Sequence, residues 1–354
     1  MPSLENLAKG TAAATAGLST VAFGLLYYGQ NYLIYPSAFP PGSRTEVPTP
    51  EQYGLPFHNL ELKTQDDITL RCYLLVQTKE LAHVGAGQLP TSQYATDDEF
   101  ASSRPTIIMF HGNGGNIGHR VPLAKVFYVK MRCNVLMVSY RGYGLSEGSP
   151  SEKGLKLDAQ AALNYVKSHP ALSQGPTVLY GQSIGGAVSI DLASRNPLSI
   201  QALILENTFL SLPRLIPSAL PALGPFAFLC HQKWDSASKI LLIPSSIPIL
   251  MLSGTQDEVV PKEHMEGLWQ IVQQQRQESP NSTNNTPSSA STGNKPEVAV
   301  VDTRELSKFL EFKEGTHNDT CVQPGYWSAV ADFVSSLGQP YESEGDWPAP
   351  DESD

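Results

Sequence analysis

The sequence is short of the features that mark several large protein classes. It holds 4 cysteines in 354 residues. Cys72, Cys133, Cys230 and Cys321 lie far apart, without the paired spacing of a structural zinc site. Buried apolar thiols are their expected state. The formal net charge is −10, and there is no dense Lys/Arg run or basic helix. Neutralising a phosphate backbone needs a clustered positive face, so nucleic acid is not an expected partner. No internal repeat is present, which sets aside solenoids and propellers. A length prior of about 150 residues per domain suggests two domains, but one large α/β domain carrying insertions fits as well. Hydrophobic residues make up 41% of the chain, enough for a sizeable core.

One local absence carries more weight. No charged residue stands between Lys9 and Arg44. Thr11 to Tyr28 (TAAATAGLSTVAFGLLYY) is apolar or small, with Tyr27, Tyr28, Tyr32 and Tyr35 crowding its C-terminal end. A helix of about 20 apolar residues crosses a bilayer core, and aromatics gather at the interface. Residues 1–35 are therefore expected to form an uncleaved single-pass membrane anchor. A cleaved signal peptide fits less well, because the small residues precede the apolar block. Lys9 favours an amino terminus in the cytoplasm, and the endoplasmic reticulum or plasma membrane is the expected location.

Beyond the anchor, short apolar runs alternate with helical patterns, which predicts an α/β fold with a mostly parallel sheet. The expected strands are Leu60–Thr64, Leu70–Val76, Thr106–Phe110, Asn134–Ser139, Thr177–Tyr180, Ala202–Leu205, Ile249–Ser253 and Lys308–Phe312. The middle runs (TIIMF, NVLMVS, TVLY, ALIL, ILMLS) are almost continuously apolar, as strands covered on both faces must be. Ser151 is positioned to cap a helix through Lys167, and Trp327–Leu337 reads as a closing helix. The globular body is expected over 36–340, with polar insertions at 78–104 and 273–296 and an acidic tail at 341–354. The segment 208–240, rich in Leu, Pro and Phe, is expected to form short helices in a cap. An apolar cap beside an anchor favours a lipophilic acyl chain, though ordinary inter-helix packing explains the same composition.

Four motifs carry chemistry. The first is G-x-S-x-G, as Gly181-Gln182-Ser183-Ile184-Gly185, between an apolar strand and an Ala-rich helical pattern. A sharp strand-to-helix turn needs glycines on both sides of the exposed serine. In the second, FHGNGGNIGHR, the N–H of Asn113 is expected to join that of Ile184 in an oxyanion hole. His111 there is expected to brace the loop rather than act as a base. The third, ILMLSGTQDEVVP, places Asp257 after a buried strand. The fourth, FLEFKEGTHNDT, places His317 in the loop after the final strand, and the order Ser183, Asp257, His317 is that of nucleophile, acid and base in α/β-hydrolases. Glu206, at the end of ALILEN, and Glu258 are rival acids. A dehalogenase or epoxide hydrolase would need an aspartate at position 183.

Taken together, FHGNGGNIGHR, SYRGYGLSEGSPSEKGL, YGQSIGGAV, SGTQDEVVP and GTHNDT resemble the fungal bud-emergence (Bem-type) serine hydrolases. Their animal counterpart is the membrane-bound α/β-hydrolase-domain-containing protein thirteen. The resemblance runs from the NYLIYPS exit of the anchor to the last helix. It implies a single-pass anchor, a monomeric α/β-hydrolase domain with a small cap, and the triad named above. Related enzymes of the superfamily remove palmitoyl groups from proteins, which keeps an acyl-protein thioester among the expected substrates beside small esters. No metal or organic cofactor is implied. The alternative from another class is a membrane-tethered binding or polarity scaffold with little turnover.

Overall fold

The computed structural model describes residues 4–81, 91–278 and 306–337. One sheet organises them. Its strands are β1 (His58–Lys63), β2 (Thr69–Leu75), β3 (Thr106–Phe110), β4 (Asn134–Val138), β5 (Thr177–Gln182), β6 (Ala202–Glu206), β7 (Ile249–Gly254) and β8 (Lys308–Phe312). They lie in the order β1-β2-β4-β3-β5-β6-β7-β8. The pairs β1–β2 and β2–β4 are antiparallel, and every other pair is parallel. Each run expected as a strand is one. β3, β4, β5 and β6 are buried at every position because helices cover both faces.

The α-helices among the described residues are α1 (Leu4–Tyr28), α2 (Gln30–Ile34), α3 (Asp97–Ser102), α4 (Val121–Lys125), α5 (Glu152–Ser168), α6 (Ile184–Arg195), α7 (Leu212–Ala219), α8 (Ser236–Ile240), α9 (Glu263–Glu278) and α10 (Tyr326–Ser336). Leu163 of α5, Val188 of α6, Ile240 of α8 and Leu268 of α9 join the core on one face of the sheet. Leu123 of α4 and Val330 of α10 join the core on the other. Ser151 caps α5 as its sequence position suggests, its side chain accepting from the Gly154 N–H at 3.1 Å. The four cysteines are free and buried. The segment 208–240, expected to form a cap, holds α7, a 3-10 stretch at Pro221–Leu229, and α8. Prolines at 217 and 225 sit inside the first two and keep them short.

The N-terminal segment differs from its expectation. It is helical, but among the described residues no helix is long and apolar enough to cross a membrane. Thr11, Thr15, Ser19 and Thr20, with Gly17 and Gly24, dilute its apolar side chains. What α1 does present is an exposed apolar surface, with Leu18, Val21, Leu25 and Tyr28 all more than half exposed. The residues that follow belong to the body. The Tyr35 hydroxyl, buried, donates to Gln232 Oε1 at 3.1 Å and accepts from Trp234 Nε1 at 2.9 Å. The Gln30 amide spans to the cap, its Oε1 accepting from the His231 N–H at 2.8 Å and its Nε2 donating to the Leu229 carbonyl at 3.2 Å. The Phe39 carbonyl accepts from the Gly115 N–H at 2.8 Å. Removing residues 1–28 should therefore leave the melting temperature nearly unchanged. Removing 1–43 should cost at least about 3 kcal/mol, from one lost aromatic core residue and several orphaned polar groups. Thermal melts of the two truncated chains check this, and equal melting temperatures would contradict it.

The polar segment 78–104 is also partly built into the body. Residues 82–90 lie outside the described part, but α3 follows, capped by Thr96 accepting from the Glu99 N–H at 3.1 Å. Phe100 is buried beneath the Arg132 guanidinium, which stands 5.1 Å from its ring centroid. Arg104 donates to the carbonyls of Arg132 and Met131 at 2.8 and 3.1 Å. Of the low-complexity segment 273–296, Gln273–Glu278 complete α9, and the remainder lies outside the described residues.

Candidate active site

β5 ends in Gln182, and α6 begins at Ile184. The single residue between them, Ser183, has φ 55° and ψ −119°, a backbone conformation that costs a non-glycine residue about 1–3 kcal/mol. Its neighbours explain how the turn closes. A Cβ at Gly181 would stand 2.3 Å from the Gly185 carbonyl oxygen, and one at Gly185 would stand 2.0 Å from that of Phe110. Only glycine permits the helix to start this close to the strands. The turn is pinned by the Ser183 N–H donating to the Glu206 carbonyl at 2.8 Å, and by the Thr208 hydroxyl donating to the Ser183 carbonyl at 2.7 Å. Ile184 therefore presents its N–H at the positive end of α6, directly after the serine.

Asp257 and His317 meet. His317 Nδ1 is 2.7 Å from Asp257 Oδ2, with the aspartate side chain almost wholly excluded from solvent. The other aspartate oxygen, Oδ1, accepts from the N–H groups of Val259 and Val260 at 2.8 and 2.7 Å. With Oδ1 held by two donors, Oδ2 is aimed at the imidazole, which assigns the proton to Nδ1 and leaves Nε2 as the basic nitrogen. Among the described residues no hydrogen bond joins the Ser183 hydroxyl to His317.

Glu206 stands elsewhere. Its Oε2 accepts from the Tyr180 hydroxyl at 2.6 Å and from the Tyr326 hydroxyl, and its Oε1 from Gln182 Nε2 at 3.2 Å. Burial raises its pKa, and the two tyrosine donors work against that rise. The side chain thus braces the strand behind Ser183 and makes no hydrogen bond to the His317 imidazole. Glu258 reaches only the backbone of His317, at 3.4 Å.

Asn113 follows His111-Gly112 at the end of β3. Its side-chain amide donates to the Ile34 carbonyl, and its Oδ1 accepts from the Tyr143 hydroxyl. Both contacts hold the loop that carries its N–H. His111 is buried, with ring centroids of Tyr140 and Tyr143 at 4.4 and 5.2 Å. Burial pushes its pKa down to about 3, so the ring is neutral and unsuited to act as a base near neutrality.

Asn207 belongs to none of the four sequence motifs. This residue, at φ 45°, donates through Nδ2 to the carbonyls of Thr316 and His317 at 3.2 and 3.3 Å, and to Thr320 Oγ1 at 3.0 Å. Its Oδ1 accepts from the Gly254 N–H at 2.8 Å. One side chain thus ties the ends of β6 and β7 to the loop bearing His317. Its only sequence signal was an asparagine, which tolerates positive φ, directly after a buried strand.

A strained serine between strand and helix, on a mostly parallel eight-stranded sheet and with a carboxylate–imidazole pair from later loops, defines the α/β-hydrolase class. The family described as alpha/beta hydrolase fold matches residues 105–225. Protein bem46 of Schizosaccharomyces pombe is 40% identical, over 93% of this chain and 94% of that protein. The "uncharacterized membrane protein YNL320W" of Saccharomyces cerevisiae is 36% identical, over 95% of this chain and 99% of that one. Among solved structures, the esterase Pf2001 of Pyrococcus furiosus superposes with a TM-score of 0.55 at 16% identity, covering 81% of this chain and 93% of that chain, a likeness of fold alone. The chain belongs to the Bem46-type proteins of the α/β-hydrolase superfamily.

Proposed function

We propose that the protein is a serine hydrolase acting on an ester or thioester with a lipophilic acyl group, a protein-linked palmitoyl group included. The observation that carries the reading is the 2.7 Å contact between His317 Nδ1 and Asp257 Oδ2 on the same sheet as the strained Ser183. Ser183 Oγ attacks the acyl carbonyl as its proton passes to His317 Nε2. The Asn113 and Ile184 N–H groups hold the oxyanion. The C–O or C–S bond then breaks, and His317 returns the proton to the departing oxygen or sulfur. Water, deprotonated by the same imidazole, releases the acid and restores the serine.

The lipophilic preference rests on the cap. A cavity of about 60 Å³ lies between α2 and the cap, walled by Leu33, Ile34, Ile216, Leu220, Phe226 and Leu229 among others. Ile34, on that wall, accepts at its carbonyl from the Asn113 side chain, so one hydrogen bond joins the apolar cavity's wall to the loop of Asn113. The exposed apolar face of α1 supports a membrane location, as does the membrane designation of the budding-yeast relative. The Phe23 ring meets that of Phe226 at 5.7 Å, so α1 and the cap present their apolar side chains together.

Treating the full chain with a fluorophosphonate probe should place one adduct on the peptide containing Ser183. Hydrolysis rates should then rise with acyl length in a series of p-nitrophenyl esters and matching thioesters. An unlabelled Ser183 in folded protein would remove the serine-hydrolase reading in favour of a binding scaffold. Labelling with a flat chain-length profile would remove only the lipophilic preference.

A further inference from the structure

Beneath the loop that carries Asn113 lies a second, much smaller cavity, of about 10 Å³, lined by His111, Arg120, Tyr180 and Gln182 among apolar neighbours. Three of its lining side chains hold a buried polar atom with no hydrogen-bond partner among the described residues: His111 Nε2, Arg120 Nε and Gln182 Oε1. A native interior leaves few such groups unpaired, and three on one cavity call for an explanation.

The proton inventory of the three atoms is determined by their neighbours. His111 Nδ1 is 2.8 Å from the Gly112 carbonyl oxygen, which can only accept, so Nδ1 carries the proton and Nε2 is an acceptor. Gln182 Nε2 donates to Glu206 Oε1 at 3.2 Å, which leaves Oε1 as an acceptor. Arg120 Nε can only donate. The cavity therefore presents two acceptors and one donor. An anion would face two lone pairs, and a metal cation would face a guanidinium. A water molecule donates two hydrogens and accepts at least one, and it needs about 10–15 Å³ of cavity volume.

We infer that His111 Nε2, Gln182 Oε1 and Arg120 Nε share one buried water, which ties the oxyanion loop to the nucleophile turn. Its two hydrogens go to His111 and Gln182, and its lone pair takes the Arg120 Nε–H. His111 lies two residues before Asn113, and Gln182 two residues before Ile184. The water thereby sets the separation of the two N–H groups that the proposed mechanism aims at the oxyanion. Arg120 is then a positioning residue, acting through the water and touching no reacting atom. This second half rests on the hydrolase reading; the water itself does not.

A high-resolution crystal structure of the full chain should show a water within about 2.7–3.2 Å of all three atoms. Density for an ion, or protein atoms filling the space, would overturn the assignment whether or not the protein hydrolyses anything. The positioning role has its own test in a matched pair of variants. Glutamine carries its amide nitrogen where arginine carries Nε, whereas methionine places a methyl group there, and both remove the charge. Arg120→Met should lower kcat for a p-nitrophenyl ester about tenfold with KM within twofold, less than the 10²–10³ of deleting an oxyanion donor. It should weaken a trifluoromethyl ketone inhibitor by the same factor. Arg120→Gln should restore kcat to within twofold of wild type. Equal kcat in the two variants would overturn the role, and unlabelled Ser183 would locate the failure in the hydrolase reading instead.

Discussion

Ser183→Ala should abolish fluorophosphonate labelling and lower kcat at least about 10³-fold, since it removes the hydroxyl proposed to form the acyl intermediate. The same position also stores strain. Alanine keeps the Cβ, so at φ 55° and ψ −119° it inherits the unfavourable backbone. Glycine does not. Ser183→Gly should be equally inactive, yet about 1 kcal/mol more stable than the alanine variant, which moves the melting temperature up by a few degrees. A protein that holds this residue strained only for packing would show no such trade between activity and stability. The decisive outcome is the pair: alanine retaining labelling would displace the nucleophile, and glycine melting at or below alanine would show that the turn is not strained.

The second large effect is expected at the acid. Asp257 Oδ1 is occupied by the Val259 and Val260 N–H groups, so an asparagine at 257 would keep its oxygen there and turn its amide toward His317 Nδ1. A donor facing Nδ1 favours the tautomer with the proton on Nε2, where it blocks proton removal from Ser183. In a serine protease with the same triad logic this change lowers kcat about 10⁴-fold. Asp257→Asn should cost at least about 10²-fold in kcat, with little change in KM. Glu206→Gln should cost less than about tenfold, because its oxygen still accepts from Tyr180 and Tyr326. It should instead lower stability by about 1–3 kcal/mol, since its amide would oppose that of Gln182 in a buried network. Measured kcat values on one activated ester decide between the two carboxylates. A crippled Glu206→Gln beside an active Asp257→Asn would move the acid to β6.

Much of this arrangement was legible before any coordinate. Continuous apolar runs have no reading in a mostly parallel sheet other than strands covered on both faces. The glycines at 181 and 185 mark a turn too tight for side chains. These are local signals, because each depends on the steric and hydrophobic demands of a few consecutive residues. The same locality explains what went astray. An uncharged stretch of suitable length suggested a spanning helix, but span length does not measure apolarity. The threonines, serines and glycines of α1 take it below what a crossing helix requires.

Which carboxylate meets the imidazole, by contrast, is seen only in the tertiary structure. Asp257 and Glu258 follow a buried strand and Glu206 ends one, and composition cannot tell which side chain points at an imidazole 60 residues away in sequence from Asp257. That depends on how far each loop travels over the sheet edge and on which backbone donors seize the other oxygen. The burial of Tyr35, the bridging role of Asn207, and the convergence of His111, Arg120 and Gln182 on one cavity depend likewise on contacts between distant segments. The sequence alone determined the sheet, the strained turn at Ser183 and the chain order of the candidate groups, through interactions within each segment. Which polar atoms meet was decided in the folded chain, because a hydrogen bond requires its two atoms to arrive within about 3 Å of each other.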